Sequence, residues 1–197
     1  GVKIMSIGFF AKKSDAMVWR GPMATKALKQ IINQTDWGNL DYLLIDLPPG
    51  TSDIHLSLVQ TLSLTGSLIV TTPQTVALID AIKAINMFKM NTINVPIIGL
   101  VENMSWCLVD DKKHYFFGRD GGKNLSKSEN VSLLAEIPLN KSIREAGDVG
   151  RPAALQDSEL GYMFTDLAKK VVLKTNFRNQ DLPQTKKVKI THNRGCN

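Results

Sequence analysis

Asp46 ends an apolar run, Tyr42-Leu43-Leu44-Ile45, and is followed by Leu47-Pro48-Pro49-Gly50. A carboxylate at the end of such a run is the arrangement that helps hold Mg²⁺ and its waters on a nucleotide phosphate. Two prolines stiffen the turn, and Gly50 lets a backbone N–H approach a terminal phosphate closely. Asn103 follows a second apolar run, 97–101. Its amide carries the donor and acceptor that match N7 and N6 of adenine; the alternative is a turn asparagine bonding its own backbone. Sulfur is scarce, with Cys107 just beyond Asn103 and Cys196 near the C-terminus as the two cysteines. A thiolate can be a metal ligand, whereas a half-buried structural thiol is the alternative for Cys107. His114 could join Cys107 by proximity, but a histidine beside Tyr115 reads as a surface or packing residue. His55 has no partner in the sequence and is expected on a helix surface. The tail segment His192-Asn193-Arg194-Gly195-Cys196 has a disordered end as its alternative reading.

These residues need elements to hold them. Five short runs, 3–7, 42–46, 67–71, 97–101 and 133–137, are apolar on successive residues, as expected of strands covered on both faces. Helical patterns lie between them. In 23–34, Ala24, Ala27, Leu28, Ile31 and Ile32 fall on one stripe; in 75–90, Leu78, Ala81, Ile82, Ile85 and Phe88 do so, with Asp80 and Lys83 opposite. A last helix is expected over about 158–174, followed by Pro183 and polar sequence. Alternation of strands and helices predicts an α/β fold, a parallel sheet with helices on both faces and right-handed crossovers. Ligands in such folds bind beyond the carboxyl ends of the strands. Those ends read Asp46-Leu47-Pro48-Pro49-Gly50, Thr71-Thr72-Pro73-Gln74, Glu102-Asn103-Met104-Ser105 and Pro138-Leu139, so polar groups and rigid turns gather on one edge.

Composition narrows the class. A chain of 197 residues with 43% hydrophobic and 21% charged residues suits one domain with one core. No apolar run approaches the roughly 18 residues of a membrane span, and 1–13 has neither the charged leader nor the cleavage site of a signal peptide. Two cysteines argue against a disulfide scaffold. Together these point to a cytoplasmic protein. The net charge of +6 is local: from residue 169 onward eight basic residues face only Asp181, and the rest is close to neutral. The expected organisation is a body, 1–174, and a basic extended tail, 175–197. No aromatic platform or recognition motif accompanies the tail's charge, so nucleic-acid binding is not expected. Residues 177–197 hold Pro183 and no sustained apolar stripe, which disfavours membrane binding.

The segments 18–23 (VWRGPM), 41–53 (DYLLIDLPPGTSD), 70–81 (VTTPQTVALIDA), 101–105 (VENMS) and 143–152 (IREAGDVGRP) closely resemble the Mrp/ApbC family, a branch of the deviant-Walker P-loop ATPases related to MinD and ParA. The resemblance runs from residue 1 to about 174. It implies a MinD-like P-loop NTPase fold and a homodimeric, ATP-binding carrier. Such a carrier receives iron–sulfur clusters, of the [4Fe–4S] type, from scaffold proteins and passes them to apo-proteins. It further implies that Asp46 is the Walker-B acid, Gly50 the switch residue and Asn103 the adenine contact. Asp80 would lie on the helix facing nucleotide and dimer partner, and Arg20 in the switch region before Walker B. The other readings are a spatial-organisation ATPase of the MinD/ParA type and a non-catalytic interaction module.

Two departures from the family pattern stand out. No G-x-x-x-x-G-K-[ST] occurs; in 118–124 (GRDGGKN) the spacing is one residue short, Asn124 replaces the hydroxyl, and no strand is predicted to feed it. The chain therefore reads as a fragment beginning after the P-loop, inactive alone. The family's C-x-x-C pair is also reduced to Cys107 with Asp110 in place of the second cysteine. Cys107 and Cys196, doubled by a symmetric dimer, could still complete a four-thiolate set; the alternatives are a site lost from this sequence or one supplied by upstream protein.

Overall fold

The computed structural model describes residues 1–10 and 21–188, so Arg20 and Cys196 lie outside the described residues. The chain divides into two units, 1–63 with the residues from 186 onward, and 64–185.

The second unit carries the sheet. Strands β1 (Ser67–Thr71), β2 (Ile97–Glu102) and β5 (Leu133–Glu136) are parallel in the order β1-β2-β5. Leu68 lies opposite Gly99, Val70 opposite Val101, and Val101 opposite Ala135. Parallel neighbours need crossovers, and these are the helices α3 (Thr75–Lys89) and α4 (Gly121–Glu129). Four successive residues of β2, from Gly99 to Glu102, are buried, so both of its faces are covered. That is why its sequence is a continuous apolar run instead of an alternating one. On α3 the expected stripe faces inward: Ala81, Ile85 and Phe88 are buried and Leu78 and Ile82 half-buried, while Asp80 and Lys83 are exposed. Ile85 and Leu100 are wholly inaccessible. Burying each side chain contributes about 1.5–3 kcal/mol.

Helix α5 (Lys141–Asp148) begins at Asn140, whose side chain accepts the Ser142 N–H. Helix α6 (Glu159–Asp181) begins at Ser158, which accepts the Gly161 N–H at 3.2 Å. α6 continues seven residues past the expected end at 174. It stops where Leu182 turns extended ahead of Pro183, since proline disfavours the helical conformation in the residue before it. The tail expected from 175 onward is thus helical to Asp181, and the basic residues Lys169, Lys170, Lys174 and Arg178 are helix residues. Arg178 is buried and donates to the Pro183 carbonyl at 2.7 Å, closing the helix end. One element went unforeseen. Strands β3 (Cys107–Val109) and β4 (Lys112–His114) form a hairpin outside the main sheet. Its two-residue turn, Asp110-Asp111, has φ of 48° and 58°, the left-handed pair that suits the twist of a tight hairpin.

The first unit holds α1 (Gly21–Gln34) and α2 (Asp53–Thr61). Ala24, Ala27, Leu28, Ile31 and Ile32 are half-buried, as their spacing predicts, and Leu58 and Val59 of α2 are buried. The Val188 N–H donates to the Val59 carbonyl at 3.0 Å. The strands expected at 3–7 and 42–46 are not present. Residues 3–6 are irregular, and Ser6 caps a short 3-10 turn, Ile7–Phe9. Residues 42–46 form no ladder, with Leu44 87% and Ile4 72% exposed. A strand exists only through hydrogen bonds to a neighbour, and among the described residues neither run has one. His55 is a further correction: it is buried instead of lying on the helix surface, with Nδ1 3.4 Å from the Ser52 hydroxyl.

Candidate functional site

The carboxyl ends of the three strands in the second unit are tied together by backbone. The Asn103 N–H donates to the Thr71 carbonyl at 2.7 Å, joining the ends of β1 and β2. The Ile137 N–H donates to the Glu102 carbonyl at 2.8 Å and the Ser105 N–H to the Ile137 carbonyl at 3.0 Å, joining β2 to β5. Three of the four strand-end segments that the sequence aligned on one edge are therefore contiguous, whereas 46–50 ends no strand and belongs to the first unit; Thr71 and Pro73 are buried, and Asn103 is half-buried.

Asn103 sits on a turn whose next residue, Met104, has φ of 55°. Its Oδ1 accepts the Met104 N–H at 3.0 Å. This is a local backbone bond of the kind expected of a turn asparagine, and it also fixes the amide's rotation. Oδ1 retains a second lone pair and Nδ2 both of its donors. An adenine edge, with a donor at N6 and an acceptor at N7, can be matched by that pair; a guanine edge, with two acceptors, cannot.

Under the turn lies a carboxylate that the sequence reading passed over. Glu102 is 2% exposed. Its Oε1 accepts the Ser105 hydroxyl at 2.6 Å and its Oε2 accepts the backbone N–H of Gly122 at the start of α4. A Cβ on Gly122 would stand 2.8 Å from that oxygen, and one on Gly121 would stand 2.9 Å from the Pro73 carbonyl oxygen. This explains the glycines of 118–124. They let α4 close on both strand ends, and the amide that a phosphate would need is already given to Glu102. No strand of the main sheet leads directly into them; the preceding strand, β4, belongs to the hairpin. The rejection of this segment as a phosphate loop thus has a structural cause. A glutamate at a strand end followed by Gly-Gly twenty residues later was the signal available for this contact.

The remaining predicted residues are dispersed. Asp80 is exposed on α3, with its carboxylate 3.2 Å from Lys83 Nζ. Asp46 and Gly50 belong to the first unit. Asp46 is exposed and makes no ion pair among the described residues. Gly50 has φ of 88°, a conformation that favours glycine, and open space around it. Cys107 is a free, half-buried thiol at the start of β3, directly opposite His114, which is exposed and stacks on Phe116. It lines a cleft of about 270 Å³ with Trp106, Pro138, Leu139, Leu160 and Met163. Among the described residues no group of three or more metal-ligating side chains converges. One described thiol per chain cannot by itself fill the four positions of a cluster. A larger cleft of about 650 Å³, lined by Thr25, Lys26, Lys29, Asn33 and Asp53, includes none of the predicted site residues.

Comparison with known proteins decides the family. Residues 1–172 match the family described as the NUBPL iron-transfer P-loop NTPases, within the ParA group. The chain belongs to that family. It is 42% identical over 185 residues to the iron–sulfur cluster transfer protein NUBPL of Dictyostelium discoideum, covering 92% of this chain and 57% of that protein. It is likewise 42% identical over 187 residues to an iron–sulfur cluster carrier protein of Haemophilus influenzae, covering 93% of this chain and 50% of the relative. The chain thus spans about half the length of these relatives. Among solved structures it resembles a nucleotide-binding protein of Archaeoglobus fulgidus in complex with ADP and with cobalt present. The TM-score is 0.62 at 32% identity, covering 77% of this chain and 58% of that one. It also resembles the cell division ATPase MinD of Pyrococcus furiosus, with a TM-score of 0.56 at 25% identity, over 76% and 58% of the two chains. The parallel α/β fold and its MinD-like P-loop class follow. No described helix of this NTPase-family chain is long and apolar enough to cross a membrane.

Proposed function

We propose that the complete protein is a cytoplasmic, homodimeric ATPase that carries iron–sulfur clusters, of the [4Fe–4S] type, between scaffold proteins and apo-proteins. The observation that carries this reading is the contiguous strand-end edge around Asn103 in a chain of the iron-transfer NTPase family. In this reading Asn103 meets the adenine edge. Asp46 holds Mg²⁺ through its waters, and Gly50 turns a backbone amide toward the terminal phosphate. Asp80 faces the nucleotide and the partner, and Arg20 belongs to the switch region before Asp46. Because the Gly122 amide is engaged by Glu102, 118–124 has no phosphate role in this reading, and these 197 residues alone should turn over no ATP. The cluster is cargo, held by Cys107 and Cys196 of two chains and moved by exchange of carrier thiolates for recipient thiolates, without net electron transfer. The naming of the relatives as cluster carriers and the ADP in the Archaeoglobus structure support the reading.

Asp46→Asn in the full-length protein tests it. The substitution keeps the shape and removes the charge from the Mg²⁺ shell, so turnover should fall at least about 100-fold, with the melting temperature unchanged. Loss of stability with turnover intact would overturn the assignment of Asp46.

A further inference from the structure

Glu102 has a carboxylate 2% exposed at the candidate ligand edge, and nothing in the proposed chemistry uses it. A buried charge without a role is costly. Its two partners answer what it does. The Ser105 hydroxyl at 2.6 Å lies on the far side of the Asn103-Met104 turn, and the Gly122 amide opens α4. One carboxylate therefore clamps both ends of the turn's support: the loop leaving β2 and the helix beneath it. The Ser105 hydroxyl also lies 3.2 Å from the Glu102 carbonyl oxygen, closing the turn on itself. The adjoining loop is held by the same helix, because Gly121 brings α4 against Pro73. Both loops flanking Asn103 thus rest on one helix N-terminus that is neutralised internally by Glu102.

We infer that Glu102 is a positioning residue that sets ATP-over-GTP selectivity by holding Asn103 in register through Ser105 and Gly122. This rests on the reading of Asn103 as the base contact. The distinction between adenine and guanine depends on where one donor and one acceptor sit, so a loosened turn loses discrimination before it loses binding. Glutamine at 102 can keep both contacts, its Oε1 accepting from Gly122 and its Nε2 donating to the Ser105 oxygen. Alanine can keep neither.

The experiment measures the ratio of Kd values for mant-GTP and mant-ATP on the full-length protein carrying Glu102→Ala, Glu102→Gln, Asn103→Ala, or Glu102→Ala with Asn103→Ala. Glu102→Ala should narrow the ratio about tenfold, and Glu102→Gln should restore it to within about threefold of the wild type. In the Asn103→Ala background, Glu102→Ala should add nothing to the ratio, as expected of a group acting through its partner. An Asn103→Ala protein that loses selectivity while Glu102→Ala keeps it would overturn the inference and leave the base contact standing. An Asn103→Ala protein that keeps full selectivity would remove the base contact and the inference with it. Should Glu102→Ala fail to fold, Ser105→Ala removes one arm of the clamp and should narrow the ratio about threefold; an unchanged ratio there overturns the inference equally.

Discussion

Gly122→Ala is a sharp test of the packing beneath the strand ends. In an open helix the exchange stabilises, by up to about 1 kcal/mol, because glycine loses more backbone entropy on folding. At position 122 the added methyl would lie 2.8 Å from Glu102 Oε2, 3.0 Å from its Cβ and 3.2 Å from its Cδ. Those atoms cannot retreat into solvent, since Glu102 is 2% exposed and is held by Ser105. Relief requires α4 to back away, and the Gly122 amide then withdraws from the carboxylate. Overpacking costs about 1–3 kcal/mol, and loosening a hydrogen bond to a buried charge adds about 1.5–3 kcal/mol. After the helical gain, a net destabilisation of roughly 1.5–5 kcal/mol remains. At about 2–4 °C per kcal/mol for a chain of this size, the melting temperature should fall by roughly 3–20 °C. Gly147→Ala is the control, because that glycine is inside α5 with no atom within 4 Å of an added Cβ. It should melt at the wild-type temperature or slightly higher. Thermal unfolding by circular dichroism on both variants decides the matter. A Gly122→Ala protein that melts with the wild type would refute the clamp between α4 and β2.

Three further outcomes are expected. Burial lowers the His55 pKa below its ordinary 6.5, more than the Ser52 contact raises it; the unfolded state therefore binds more protons just below 6.5, and stability present above that pH should decline as it falls toward the folded value. Urea midpoints at about pH 7.5 and about pH 5.5 should differ more for the wild type than for His55→Gln. Asp80→Ala should change stability by no more than about 0.5 kcal/mol, because its ion pair with Lys83 is solvent-exposed, yet reduce ATP turnover in the full-length protein; unaltered turnover would remove Asp80 from the nucleotide side. After anaerobic reconstitution of the full-length protein, Cys107→Ala and Cys196→Ala should each lower the visible cluster absorption, and equal content in either variant would strike that cysteine from the ligand set.

The sequence by itself determined the layered α/β class and the helices over 23–34 and 75–90. Although one face of β1 is exposed at Leu68 and Val70, it also determined the three strands at 67–71, 97–101 and 133–137. The reason is that continuous apolar strands and 3.6-residue stripes are local consequences of burial. The same pattern at 3–7 and 42–46 did not produce strands, because pairing depends on a neighbour that apolar character cannot supply. The helix end at Asp181 was marked in the sequence by Pro183, which disfavours the helical conformation at Leu182; the contact of Arg178 with the Pro183 carbonyl that closes it is created only by the fold. The hairpin at 107–114 rests on two left-handed aspartates, which no apolar period announces. For the site, residue types were enough to mark Asn103 and its edge. The spacing of 118–124 already spoke against a phosphate loop, but only the tertiary structure showed that its glycines serve packing against Glu102 and Pro73. Twenty residues separate Glu102 from Gly122, and a buried carboxylate meeting a helix N-terminus depends on how α4 lies on β2, which no stretch of sequence specifies alone.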